Sequence, residues 1–174
     1  MRVLIDGVGS GALADSLVEG LTAAGRPPVR VSGADFQRPA GERYQWGRED
    51  TEAFRDRWLD TGSLRREVLD AALAGSVLPA LWDSVRDRSA RADPVPVPAP
   101  AVVLVDGLFL LGLGLPAELV VHVTQSPGAL QRRGVPEWQL PAFASYDDEV
   151  RPGDLCDVLV RAEDPRRPAV VFRA

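Results

Sequence analysis

Lysine is absent from this chain. All 20 basic residues among its 174 are arginine. A phosphate-loop lysine, a Schiff-base lysine and a lysine general base are therefore excluded wherever the fold might place them. Histidine and cysteine occur once each, as His122 and Cys156. A Cys/His zinc centre needs about four such ligands and cannot be assembled. A disulfide framework within one chain is equally excluded. A metal would have to sit on carboxylates and water, as Mg²⁺ does, and no metal ligands are assigned. A basic excess is also missing: 25 acidic residues face 20 basic ones, for a net charge of −5. Nucleic acid is not an expected partner of so acidic a chain. Long apolar runs are lacking too. Met1-Arg2-Val3-Leu4-Ile5-Asp6 is too short in apolar residues for a signal peptide. The run from Ala101 to Leu115 is interrupted by Asp106 and glycines, so it is no membrane span. The expected setting is the cytoplasm, without membrane contact.

What is present is a chain of ordinary composition, 45% hydrophobic and 26% charged. It reads as one domain, long enough to bury about 70% of its unfolded surface. Val3-Leu4-Ile5 forms a short strand that runs into Asp6-Gly7-Val8-Gly9-Ser10-Gly11. Apolar residues at Leu13, Ala14, Leu17, Val18 and Leu21 then mark a helix from Ala12 to Ala24, with Gly25 as its cap. Val29-Arg30-Val31 is a second strand. Residues 37–49 read as loop. Asp50 caps a helix reaching about Leu59, and Ser63 caps another with Leu64, Val68, Leu69 and Ala72 on its apolar face. Val77 to Trp82 reads as an edge strand, since it contains proline. Arg86 to Arg91 is charged and exposed, and Pro94 to Pro100 is an extended linker.

Ala101-Val102-Val103-Leu104-Val105 is the clearest strand, with the continuous apolar run of a parallel sheet's centre. It ends in Asp106-Gly107. Leu119 to Val123 is another central strand. Ser126-Pro127 opens a helix that continues to Arg133. Residues 134–155 are mixed and polar, with Asp147-Asp148-Glu149 as a solvated turn. Asp157 to Val160 and Val170 to Phe172 are late strands. Alternating strands and helices predict an α/β fold of three layers around a parallel sheet with right-handed crossovers.

The glycine loop falls short of a phosphate loop, which reads G-x-x-x-x-G-K-[ST]. Gly7 and Gly11 are four apart, one short of that spacing. Ala12 and Leu13 stand where the lysine and hydroxyl would follow. Gly7, Gly9, Ser10 and Gly11 could still present a helix N-terminus to an anion. The same residues could equally form only a tight strand-to-helix turn.

Five segments stand in order: Asp6 to Asp15, Val29 to Gln37, Leu64-Arg65-Arg66-Glu67-Val68-Leu69, Leu104 to Leu111 and Arg132-Arg133-Gly134. Together they resemble the bacterial uridine-kinase-like proteins of the P-loop kinase group. The resemblance implies one P-loop kinase-like domain over residues 1–174, with 134–155 as a lid-like segment. It also implies an acceptor pocket near Tyr44, Trp46 and Trp58, whose rings could stack on a flat ligand or belong to the core. Arg132 and Arg133 match the lid arginines and could hold a phosphate or carboxylate, or lie on a solvated face. The departures cluster at the chemistry. The loop is about three residues shorter than the family pattern. Ala34 replaces the family's base, while Asp35 matches the second aspartate of that motif. Asp106 keeps the acid at the strand end.

Asp35 and Asp106 are thus the candidate catalytic residues, for acid–base work by paired carboxylates. Asp60 reads as a cap, His122 as a satisfied core histidine and Cys156 as structural. The expected function is ATP-independent binding or acid–base conversion of a small polar metabolite, nucleoside-like or phosphorylated, with no cofactor. One alternative is an active small-molecule kinase with an atypical loop, using ATP and Mg²⁺. Another is a non-catalytic interaction subunit, assembled as a homodimer.

Overall fold

The computed structural model describes residues 1–164 and 166–173. Its main sheet has six strands: β1 (Arg2–Asp6), β2 (Pro28–Ser32), β7 (Val102–Gly107), β8 (Leu119–Thr124), β9 (Val158–Arg161) and β10 (Ala169–Phe172). Their spatial order is β10-β9-β8-β1-β7-β2. Five of the strands pair in parallel. The edge strand β10 departs from the all-parallel expectation and runs antiparallel to β9. Only seven residues separate β9 from β10, too few for a crossover helix, and so short a connection returns a strand antiparallel.

Both faces of the sheet are buried, which explains the continuous apolar strands. Val3 and Ile5 of β1, with Val102 and Leu104 of β7, pack towards α1 (Ser10–Ala23). Leu4, Val103 and Val105 face the opposite cluster, around Phe36, Phe54, Leu64 and Phe109. Alternate side chains of one strand point to opposite faces, so a single run serves two layers.

Helix α1 begins at Ser10, two residues earlier than its apolar stripe indicates, because Gly9 (φ 89°) turns the chain into the helix. At its far end Gly25 adopts φ 70°, and Arg26 N–H returns to the Leu21 carbonyl at 2.9 Å. The predicted loop 37–49 contains a single helical turn, α2 (Ala40–Arg43). Asp50 caps α3 (Thr51–Asp56) by accepting from Ala53 N–H at 2.7 Å. The next helix, α4 (Thr61–Leu64), continues through wider turns to Asp70 and a tighter one to Ala74. Its cap is Asp60, not Ser63: Asp60 accepts from the Ser63 backbone N–H at 3.0 Å and from its hydroxyl at 2.8 Å.

The predicted strand over Val77 to Trp82 divides in two. β3 (Ser76–Val77) pairs with β6 (Val95–Pro96), and β4 (Trp82–Asp83) forms a small hairpin with β5 (Arg88–Ser89). Pro79 lies in the gap, since it has no N–H for a ladder. Helix α5 (Pro127–Arg132) starts at a Ser126 cap, as its sequence indicates. Segment 134–155 is largely helical, with α6 (Leu140–Glu149) and α7 (Pro152–Leu155). The Asp147-Asp148-Glu149 run is the last turn of α6 rather than a loop. Buried Ala142 and Tyr146 give α6 the inward face that polarity alone conceals.

A buried polar knot joins these layers. Asp6, fully enclosed at the end of β1, accepts from Leu110 N–H at 2.9 Å and from the Tyr146 hydroxyl at 3.0 Å. His122 Nδ1 lies 2.8 Å from the same carboxylate. This satisfied environment agrees with the core reading of His122. The Tyr146 hydroxyl also accepts from Leu111 N–H at 2.9 Å. Burial pushes the Tyr146 phenol above its ordinary range, so it stays a donor. Tyr146→Phe leaves the buried Leu111 N–H unpaired and should cost about 1–3 kcal/mol. Urea denaturation should show this loss, with a melting temperature lower by about 2–4 °C per kcal/mol.

Candidate functional site

The C-terminal ends of β1, β2 and β7 lie side by side, with Asp6 opposite Gly107 and Ser32 opposite Asp106. Open parallel sheets bind ligands beyond such ends. The glycine loop leaves β1 here. Gly7 has φ 108°, and a Cβ at that position would lie 2.3 Å from the Val123 carbonyl oxygen, so only glycine fits. Gly7 N–H donates to the Gly107 carbonyl at 2.9 Å, and Ser10 N–H to that of Gly7 at 3.1 Å. The Ser10 hydroxyl turns inward to the Gly107 carbonyl at 3.3 Å. Among the described residues, the N–H groups of Gly9, Gly11 and Ala12 have no backbone acceptor.

Two arginines approach this loop from other elements. A Cβ on Gly9 would lie 2.7 Å from Nη1 of Arg133, which stands just past α5. A Cβ on Gly11 would lie 2.9 Å from Nη2 of Arg30, which comes from β2. The Arg30 Nε donates to Asp106 Oδ1 at 2.8 Å, and its Nη1 pairs with Asp15 on α1. Ser32 donates to the other Asp106 oxygen at 3.3 Å. The hydrogen bond to Asp106 is the main cause raising the Arg30 pKa. Arg133, by contrast, makes no ion pair with a described carboxylate.

The loop opens on a cavity of about 420 Å³. Gly7, Gly9, Ser10, Asp106 and Arg133 form its polar end. Its apolar wall comprises Phe54, Trp58, Phe109 and Phe143. These rings pack mutually, with Phe54 5.0 Å from Trp58 and 5.3 Å from Phe109, and Phe109 5.0 Å from Phe143. Phe109 takes φ 59°, an uncommon conformation for so bulky a residue, and thereby joins the wall directly after β7.

The remaining candidates fall elsewhere. Arg132 is exposed and does not line the cavity. Tyr44 stands behind Trp58, edge-on at 5.5 Å, between the guanidinium groups of Arg43 and Arg48. Trp46 is half exposed beneath Arg57, with the guanidinium 4.2 Å from its ring. Asp35 lines a neighbouring cavity of about 590 Å³ under the β4–β5 hairpin, beside Trp82 and Asp83. Asp106 belongs to the main cleft but is committed to Arg30. The two candidate acids therefore do not share one pocket wall.

Sequence reading missed Arg30, Phe54, Phe109 and Phe143 as site residues. Arg30 had one available signal: a charge inside a short strand, one residue before the register position opposite Val105. Phe109 sits in the motif that follows Asp106, but its inward turn depends on a backbone conformation. Phe143 lies in a stretch that reads as polar.

No family model matches this chain, and no curated protein does. Solved structures do. A protein described as a possible uridine kinase from Bacillus stearothermophilus superposes with a TM-score of 0.74 at 20% identity. The match covers 91% of this chain and 87% of that one. The chain has the P-loop kinase fold. Phosphoribulokinase from Rhodobacter spheroides superposes with a TM-score of 0.57 at 12% identity, over 92% of this chain and 69% of that one. Among the described residues, no helix is long and apolar enough to cross a membrane.

The residues at the P-loop position do not fit a nucleotide-bound Mg²⁺. In such kinases a loop hydroxyl and a strand-end carboxylate hold the ion, and a lysine cradles the phosphates. Here the loop hydroxyl bonds the backbone, the carboxylate bonds an arginine, and the lysine is absent. No group of three or more metal-ligating side chains occurs among the described residues.

Asp35 provides a pH test of the site's electrostatics. Burial, and then the Asp106 charge, raise its pKa above the ordinary 3.8. Stability tied to its protonated form is full below the unfolded-state value and is lost as pH rises through the folded one. Asp35→Asn abolishes that loss. The variant should resist urea better than the parent at about pH 7, with the advantage shrinking towards about pH 4.

Proposed function

We propose that this chain is a small-molecule-binding protein on the P-loop kinase fold that works without ATP. The observation that carries this reading is the Arg30–Asp106 pair. A guanidinium stands against the carboxylate that would otherwise help to hold a metal ion. Phosphoryl transfer depends on positioning and on neutralising developing charge. Loss of the lysine, the free loop hydroxyl and the free carboxylate removes several of those contributions together, at about 1.4 kcal/mol of barrier for each tenfold in rate.

The cleft itself is retained. Its volume of about 420 Å³ suits a small molecule, and its lining pairs an apolar wall with a few convergent polar groups. Four aromatic rings favour a flat ligand body, nucleoside-like in size. Asp35, a partly buried carboxyl with no side-chain hydrogen-bond partner among the described residues, lines the neighbouring cavity, so acid–base work there would act on a ligand reaching beyond the cleft. Its approach would come from the hairpin side.

Calorimetry with ATP and Mg²⁺ tests the reading directly. The expected result is no heat of binding, with and without the metal. Micromolar, Mg²⁺-dependent binding would overturn it and favour an active kinase with an unusual loop.

A further inference from the structure

We infer that a hollow between the sheet and the α6–α7 corner binds a small zwitterion of the amino-acid class, with the ammonium held by His122 Nε2 and Asp147 and the carboxylate by Arg161. The site is separate from the main cleft and independent of the reading proposed for it: the two cavities share no lining residue.

The sheet gathers the first groups. Val121 and Val123 pack on the α1 side, so the alternating His122 and Thr124 face α6 and α7. Across the β8–β9 ladder, His122 stands opposite Leu159 and Thr124 opposite Arg161. With Asp147 from α6 and the chain at 151–154, these side chains line a hollow of about 390 Å³. His122 gives it a fixed polar point. Only 6% of that side chain is exposed, and Nδ1 lies 2.8 Å from the Asp6 carboxylate. A carboxylate only accepts, so Nδ1 carries the hydrogen and Nε2 presents a lone pair. Nε2 has no hydrogen-bond partner among the described residues. The enclosed orphan atoms among those residues are Arg43 Nε and Gln125 Oε1, so Nε2 is not sealed in. The ring borders this hollow and a chamber of about 30 Å³. That chamber has room for no more than a water molecule, so the hollow is where a ligand can meet Nε2.

Two opposite charges in the hollow are uncommitted. Neither Asp147 nor Arg161 makes an ion pair among the described residues. The remaining charges are engaged with one another: Arg151 lies 3.8 Å from Asp154, which also meets Arg173 at 3.5 Å. Burial pushes the Asp147 carboxyl above its ordinary pKa of 3.8, a cost that a nearby ammonium would offset. A lone pair beside a carboxylate offers acceptors and no donor, which suits an ammonium. The guanidinium on the adjacent strand offers a fork to a carboxylate. An amine alone would leave Arg161 unmet, and a carboxylate alone would leave Asp147 and Nε2 unmet. A zwitterion meets all three.

His122 is the chain's only histidine, so its ring resonances report the site without ambiguity. Nitrogen-15 NMR of the full chain should show the Nδ1–H tautomer. Titration then uses glycine, β-alanine, acetate and methylamine at equal ionic strength. At least one of the two amino acids should shift the Nε2 resonance saturably and bind about tenfold more tightly than acetate or methylamine. Asp147→Asn and Arg161→Ala should each weaken that binding by about tenfold or more. Glu19→Gln, on α1 across the sheet, should leave it unchanged. Asp147 and Arg161 are exposed at the surface, so both variants should fold, and thermal melting confirms it.

An Nε2–H tautomer would overturn the proposal, because the ring would then offer a donor where an ammonium needs an acceptor. So would the absence of a saturable shift with both amino acids, equal binding of acetate or methylamine, or unchanged binding in either Asp147→Asn or Arg161→Ala.

Discussion

The Asp6 carboxylate closes the central strand and gathers the cleft around it. It is wholly buried, yet its partners come from three separate stretches of chain: Leu110 after β7, His122 in β8 and Tyr146 in α6. Unpaired, such a group would be costly in the interior. Paired, it fixes the loop after β7 against α6, and with it the positions of Phe109 and Phe143. The apolar wall of the cavity is thus held by a polar contact beneath it. Gly7 follows immediately, so the same strand end also sets where the glycine loop begins.

On the opposite side of the loop, Arg30 imposes a second constraint. The fold brings a strand-end carboxylate to the first turn of α1, as phosphoryl-transfer enzymes of this architecture do. This chain meets that carboxylate with a guanidinium from the neighbouring strand. An arginine cannot be deprotonated in such a setting and presents a fixed planar fork. It is a cation that neither exchanges nor dissociates. The fold is shared with the solved neighbours, while in this chain the strand-end carboxylate is paired with a guanidinium. Likeness in fold to uridine kinase therefore carries no activity with it, since function resides in the site.

Much of the architecture was legible in the chain. The β-branched runs of Val102 to Val105 and Leu119 to Val123 identified central parallel strands, because only a sheet covered on both faces tolerates unbroken apolar sequence. Asp50, Ser126 and Gly25 marked helix ends through local hydrogen bonding and backbone freedom, which need no distant partner. Some local signals competed: Asp60, itself read as a cap, rather than Ser63 caps α4, and Pro79 splits an expected strand. Distant packing decided α6, which hides its buried face among acidic residues. At the site, Trp58 reached the cavity, whereas Tyr44 stands behind it and Trp46 faces solvent.

By itself the sequence determined what this cleft cannot contain. Without lysine there is no phosphate-loop ammonium, and with one histidine and one cysteine there is no thiolate–imidazole metal centre. It also determined the order of the main-sheet strands and of helices α1, α3 and α5, since periodicity and capping are local properties. Only the tertiary structure decided which charges meet. Arg30 and Asp106 are distant in sequence but adjacent across the β2–β7 ladder, and Arg133 reaches Gly9 only after α5 returns to the loop. Parallel pairing and crossovers create such neighbours, and pairwise electrostatics depends on distance in space rather than along the chain.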